Sequence, residues 1–244
     1  KDNLEKIQCG FKKAVQEEVK SQRMKTDLIS NVSHDLKTPL TAIITYVDLL
    51  KDENLSQEKR KQYIEIVDRK SQRLQNLIED LFEMSKASSG NITLNIEDVD
   101  IVSLMKQTLF ELDDKIKASS LTFKNNFPEE KVVLQLDSQR TFRIFENIII
   151  NATKYAMANS RVYLDIIERE ENVEVIMKNM ASEEIDFNPN EIVERFVRGD
   201  ESRNTEGSGL GLAIAKSFVE LQGGSFKIEV DGDLFKVIMN FKKN

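Results

Sequence analysis

The sequence predicts an α plus α/β protein: an antiparallel helical hairpin in the first third, then an α/β sandwich. Three observations carry this. Apolar residues recur at three- and four-residue spacing between Leu4 and Leu81, the period of a helix face. The stretch Ala87-Ser88-Ser89-Gly90-Asn91 has the composition of a linker. Beyond it, strand-like runs mix with helical ones, the pattern of a sheet covered on one face by helices.

Residues 1 to about 53 read as one long helix. Leu4, Ile7, Phe11 and Ala14 keep the spacing, which weakens from Glu18 to Lys25 and resumes at Leu28. At 100° per residue, Leu28, Val32, Leu36, Ile43, Val47 and Leu50 form one apolar stripe. Asp52 to Ser56 makes a short connection, with Ser56 as N-cap of a second helix running to about Lys86. The apolar face of that helix is Tyr63, Ile66, Val67, Leu74, Leu77, Ile78 and Leu81. One hairpin cannot enclose its own stripes, so a dimeric four-helix bundle is expected.

In the second part, strands are expected near 92–97, 121–127, 131–136, 161–168, 172–179, 225–230 and 235–242, and helices over 100–119, 138–158 and 208–222. Asp100, and Asp137 or Ser138, are the expected caps. The expected domains are residues 1–87, of which 1–25 form an input coiled-coil extension, a linker at 88–91, and residues 92–244. No internal repeat is present.

Composition narrows the function classes. A length of 244 residues allows one or two domains. Net charge is −7 with no dense Lys/Arg patch, which argues against nucleic acid as a partner. Hydrophobic residues at 40% and charged residues at 32% suit long exposed helices. The single cysteine, Cys9, cannot form an internal disulfide, as expected of a reducing compartment. No apolar run approaches the ~18 residues of a membrane span, and no signal peptide is visible. The chain begins at Lys1 and is read as a fragment of something longer.

The one histidine, His34, lies in Ser33-His34-Asp35-Leu36-Lys37-Thr38-Pro39-Leu40. It projects away from the apolar stripe, on the side of Thr38, Thr41 and Thr45. Imidazole is a good nucleophile at neutral pH, and a neighbouring carboxylate can hold one ring nitrogen protonated while the other attacks. Asp35 is placed for that role, and Thr38, one turn on, for orienting a water. Pro39 removes one helical hydrogen bond, so a local bend is expected. A His-Asp pair alone is better read as a solvated helix face beside a chance Pro kink; the full octet and the second half of the chain reverse that.

Two further clusters bear on this. Six of nine glycines fall between Gly199 and Gly224, including Gly207-Ser208-Gly209-Leu210-Gly211-Leu212 ahead of an apolar helix. Glycines before a helix let backbone N–H groups approach phosphate. A tight loop-to-helix junction reads the same way. The stretch is not a Walker A motif, because no Gly-Lys-Ser/Thr follows. The second cluster is Glu146-Asn147-Ile148-Ile149-Ile150-Asn151-Ala152-Thr153-Lys154-Tyr155, with Asn147 and Asn151 one helical turn apart. An amide oxygen suits Mg²⁺ beside a triphosphate, and a lysine can neutralise phosphate charge. A polar face on an ordinary helix is the alternative.

Taken together, these segments resemble the cytoplasmic core of two-component sensor histidine kinases. Residues 33–40 resemble the H box, 146–155 the N box, Glu194-Arg195-Phe196-Val197-Arg198 the F box, and 207–212 the G2 box of the Bergerat-type ATP domain. The resemblance implies ATP and Mg²⁺ as cofactors. Asn151 would carry Mg²⁺, and Asn147, Lys154 and Tyr155 would line the nucleotide. Gly207, Gly209, Leu210 and Gly211 would cradle phosphate under a lid ending near Glu206, with Arg198 reaching the phosphates. It further implies autophosphorylation of His34, transfer to a response regulator, homodimerisation, and a reverse dephosphorylation served by Asp35 and Thr38. The missing part would carry membrane helices and a sensor, making this chain the cytoplasmic portion of a plasma-membrane protein.

One departure stands out. The family's G1 box, Asp-x-Gly-x-Gly, supplies an aspartate to the adenine amino group. Here the stretch is Met177-Lys178-Asn179-Met180-Ala181-Ser182-Glu183-Glu184, without glycine and with Asn179 in the aspartate's place. Losing charge assistance would cost about 1 kcal/mol, up to tenfold in affinity. The departure motivates a rival reading, a phosphatase-biased or scaffold module with a degenerate ATP site.

Overall fold

The computed structural model describes residues 33, 35–88, 92–185 and 209–243. They divide into two compact units, one ending at Leu81 and one beginning at Phe82. Among the described residues, no helix is long and apolar enough to cross a membrane.

The first unit is a helical hairpin. Helix α1 is described over 35–49 and passes through Pro39, which is buried. It ends about four residues earlier than the sequence suggests; Lys51 and Asp52 turn back through N–H bonds to Asp48 and Leu49 carbonyls. Helix α2 spans Gln57–Ser88. Ser56 caps it, its hydroxyl accepting from the Lys59 N–H at 3.4 Å. Tyr46 and Tyr63 meet across the hairpin with ring centroids 5.2 Å apart. The expected stripe is only partly covered, for Leu36, Ile43 and Leu50 are half-buried and Val47 is exposed. Leu40, Ile44 and Val47 on α1, and Ile64 and Ile78 on α2, stand exposed in the single chain.

The second unit is a two-layer sandwich. Strands β1 (Ile96–Asp100) and β3 (Val133–Asp137) pair antiparallel in a small sheet. The main sheet has five strands in the order β2-β4-β5-β7-β6: β2 is Thr122–Asn126, β4 Arg161–Glu168, β5 Asn172–Met180, β6 Ser225–Asp231 and β7 Leu234–Lys242. Strand β2 runs parallel to β4, and the other pairs are antiparallel. The helices are α3 (Ile101–Glu111), α4 (Asp113–Ala118), α5 (Ser138–Tyr155) and α6 (Gly211–Leu221).

Alternation along the strands separates the two sheet faces. Val162, Leu164, Val173, Val175, Met177, Val237 and Met239 are fully buried on the inner face. Opposite them lie Ile144, Phe145, Ile148 and Ile149 of α5 and Ile214, Phe218 and Val219 of α6, all at most 1% exposed. The outer face carries ion pairs, Lys178 with Asp165 at 2.8 Å and Lys236 with Glu229 at 3.0 Å, around the paired and buried Ile176 and Ile238.

Caps fall where the sequence puts them. Asp100 accepts from the Val102 N–H, and Asp137 from the Arg140 N–H at 2.9 Å. The segment expected as one helix over 100–119 is two. Leu112 ends α3 and begins α4, with φ −96° and ψ 7°. The expected strand over 92–97 is β1, displaced by about four residues, because Val99 pairs with Leu134 and is itself buried.

Candidate functional site

Helix α5 sets the site. Thr141, Ile144, Phe145, Ile148, Ile149 and Ala152 are buried along one stripe. The same periodicity leaves Asn147 and Asn151 half-buried one turn apart, with Lys154 exposed and Tyr155 half-buried at the next turn.

The end of α5 is fastened to the end of β5. The Met157 N–H donates to the Met180 carbonyl at 2.8 Å, and the Ser182 N–H to the Tyr155 carbonyl at 2.9 Å. Ala156 and Ala181 form an antiparallel bridge. This brings Asn151 and Tyr155 toward Asn179, the penultimate residue of β5, which shares the inward face with Val173, Val175 and Met177 and is 3% exposed.

The start of α6 closes the third side. Gly209 has φ +70°, a left-handed conformation that favours glycine. Leu210 is buried, and Gly211 opens the helix. A β-carbon on Gly211 would lie 3.0 Å from Asn147 Oδ1, so the start of α6 lies close against the Asn147 amide of α5. The helix N-terminus adds a favourable potential for anions.

Of the buried polar side-chain atoms without a hydrogen-bond partner among the described residues, two belong to this site: Asn147 Nδ2, a donor, and Asn179 Oδ1, an acceptor. Asn179 spends its own amide N–H on the Met180 carbonyl at 3.3 Å. Leaving a buried polar group unpaired costs about 1–3 kcal/mol, a cost that a ligand with a matching donor and acceptor removes. No group of three or more His, Cys, Asp or Glu side chains able to hold a metal occurs among the described residues. Amide and ligand oxygens are the chemistry that Mg²⁺ accepts.

The structure therefore brings Asn147, Asn151, Lys154, Tyr155, Asn179, Gly209, Leu210 and Gly211 into one unit around α5. His34, Arg198 and Gly207 lie outside the described residues, as does the expected lid. Asp35 is half-buried and Thr38 exposed on α1. Thr41 and Thr45 are also exposed, and the Thr45 hydroxyl donates to the Thr41 carbonyl at 2.9 Å.

Sequence reasoning missed an ionic cluster along α5. Glu83 accepts from Arg140 at 2.9 Å and from Arg143 at 3.3 Å, and Arg143 also meets Glu146 at 2.5 Å. Arg140 further lies over the Phe218 ring of α6, 4.9 Å from its centroid. Gln222 joins the same helices, its Oε1 accepting from the Asp137 N–H at 2.7 Å and from the Thr141 hydroxyl at 3.3 Å. The i, i+3 spacing of Arg140, Arg143 and Glu146 was the one available signal, and it named no distant partner.

Two family models match this chain. Residues 24–90 match the family described as His Kinase A (phospho-acceptor) domain, and residues 136–243 match the Histidine kinase-, DNA gyrase B-, and HSP90-like ATPase family. Sensor protein VanSC of Enterococcus gallinarum is 34% identical over 212 residues, covering 86% of this chain and 58% of that protein. Sensor histidine kinase WalK of Bacillus subtilis is 28% identical, covering 94% of this chain and 39% of its own length. The chain thus spans about half of the relatives it matches. A solved structure of histidine kinase ThkA, in complex with response regulator protein TrrA, superposes with a TM-score of 0.69 at 19% identity. It covers 95% of this chain and 66% of that one, a likeness of fold.

Proposed function

Because this chain belongs to the sensor histidine kinases, carrying both a phospho-acceptor and an ATPase-type domain, we propose that it autophosphorylates His34 from ATP and passes the phosphate to an aspartate of a response regulator. The observation that carries this is the pair of unpartnered buried amide atoms, on Asn147 and Asn179, beside a glycine-led helix start. A purine nucleotide supplies what both lack: an amino group for Asn179 Oδ1 and an acceptor for Asn147 Nδ2.

Asn151 would hold Mg²⁺, which offsets the charge of the phosphates. Lys154 neutralises phosphate charge, Tyr155 lines the nucleotide, and Gly209, Leu210 and Gly211 let backbone approach it. Gly207 and Arg198 complete the set in this reading. In the transfer, a nitrogen of His34 attacks the γ-phosphorus, the N–P bond forms, and the bond to the bridging oxygen breaks, releasing ADP with the electron pair. The other ring nitrogen keeps its proton and donates it in a hydrogen bond to the Asp35 carboxylate, which offsets the positive charge the ring gains. The phosphate then moves to a regulator carboxylate, breaking the N–P bond and forming an acyl phosphate. Thr38 would orient a water for the reverse dephosphorylation.

Residues 1–87 form the phosphotransfer hairpin in this reading, 88–91 a linker, and 92–244 the nucleotide domain. The exposed apolar residues Leu40, Ile44, Val47, Ile64 and Ile78 support a homodimer in which two hairpins make a four-helix bundle. The whole protein would place this chain on the cytoplasmic side of a membrane sensor.

The test is incubation with γ-³²P-ATP and Mg²⁺, wild type beside His34→Ala. The expected result is an acid-labile, base-stable label that the substitution abolishes with folding intact. Label persisting in His34→Ala overturns the assignment. No label in a folded dimer that still binds nucleotide turns the reading to the phosphatase-biased or scaffold module, which Asn179 favours.

A further inference from the structure

We propose that Asn179 makes the nucleotide site permissive toward the base, admitting 6-oxopurine triphosphates of the guanine type alongside 6-aminopurine ones. This rests on the reading of Asn179 as the residue that meets the base.

Asn179 is 3% exposed and sits on the helix-covered face at the end of β5. Its Oδ1 is buried without a partner. Its Nδ2 makes one contact, to the adjacent Met180 carbonyl, at 3.3 Å. That distance lies beyond the usual 2.7–3.2 Å of an N–H···O bond, and both groups are neutral.

A carboxylate in this place would present acceptors only and a full charge. It would take hydrogen bonds from a 6-amino group and repel a 6-oxo group. A carboxamide carries one acceptor and one donor, and a half-turn about its terminal bond exchanges them. In the orientation found here, Oδ1 accepts from a 6-amino group. After the half-turn, Nδ2 donates to a 6-oxo group, while the long bond to Met180 is lost and Oδ1 turns toward the Met180 carbonyl, a cost that leaves the preference with adenine. The neutral amide therefore sets a small preference for adenine in place of the large one a charge imposes.

The test is calorimetric titration of the whole chain, with Mg²⁺, by adenylyl and guanylyl imidodiphosphate. The variants are Asn179→Asp, which restores the charge, and Asn179→Ser, whose hydroxyl also donates and accepts. Wild type is expected to bind the two analogues within about tenfold of each other. Asn179→Asp is expected to widen that ratio by about tenfold or more in favour of adenine, mainly through loss of the guanine analogue. Asn179→Ser is expected to weaken both while holding the ratio near that of wild type. A wild-type preference for adenine of a hundredfold or more overturns the proposal. So does a ratio that Asn179→Asp leaves unchanged. Binding of neither analogue by folded wild type overturns the nucleotide reading itself, and this inference with it.

Discussion

A β-carbon at position 211 would stand 3.0 Å from Asn147 Oδ1, so a side chain at Gly211 would press on the Asn147 amide. The two residues lie 64 positions apart, yet they come into close contact at the α5–α6 junction.

Gly211→Ala separates site geometry from stability. Alanine is the better helix former, by up to about 1 kcal/mol in a helix interior, so the melting temperature should hold or rise slightly. Asn147 must then yield by a few tenths of an ångström, and nucleotide affinity should fall by about tenfold. Thermal denaturation and calorimetry on one preparation check both. A lost fold, or unchanged affinity, counts against the packing account.

Asp100 predicts the acid limb of stability. Burial raises its pKa, but hydrogen bonds from the Ser103 hydroxyl and from the N–H groups of Ser103, Val132 and Val102 outweigh that, and the net shift is downward from 3.8. A lowered carboxylate pKa contributes stability that is full above the unfolded value and is lost as pH falls through the folded one. Asp100→Asn should therefore flatten the fall in stability below about pH 4, and Asp100→Ala should cost about 1 kcal/mol at neutral pH through loss of the α3 cap. Urea unfolding at pH 3 and pH 7 measures the difference.

Gln222→Ala should be destabilising out of proportion to its size. It strips the acceptor from the Asp137 N–H and the Thr141 hydroxyl. Thr141 is fully buried and Asp137 nearly so, so an unsatisfied donor there costs about 1–3 kcal/mol. The expected readout is a lower melting temperature with no loss of hairpin helicity by circular dichroism.

Glu83→Gln tests the ionic cluster. Without the carboxylate, Arg140 and Arg143 face each other one turn apart on α5 with no charge from Glu83 between them. Hydrogen exchange should quicken in the first turns of α5, residues 138–143, and the effect should be larger at low salt. Unchanged exchange would show that Arg143's pairing with Glu146 suffices.

Much of this was legible in the sequence because local physics dominates there. The alternation in 161–168 and 172–179 marks β4 and β5 almost residue for residue, since each inner-face residue is apolar until Asn179. Asp100, Asp137 and Ser56 announce helix starts through one short side chain each. Leu112 was hidden: a leucine is a good helix former, and its break is set by tertiary packing of a side chain only 4% exposed. Asp113 and Asp114, acidic at the first turn of α4, were the available hint. The Asn147–Gly211 contact and the Glu83 cluster depend on which distant helices the sheet brings together, and no spacing rule encodes that.

The parallel pairing of β2 with β4 has a kinetic consequence. Thr122 meets Arg161 across that pair, while β3 and α5 both lie between them in the chain. The antiparallel ladder β4-β5 needs only a tight reversal and can zip locally. Strand β2 gains its partner only after a long loop has closed, at an entropic cost that nothing repays beforehand. Its docking should be among the last events as the chain folds, and the edge it covers on β4 is the one left open longest to strands of other molecules.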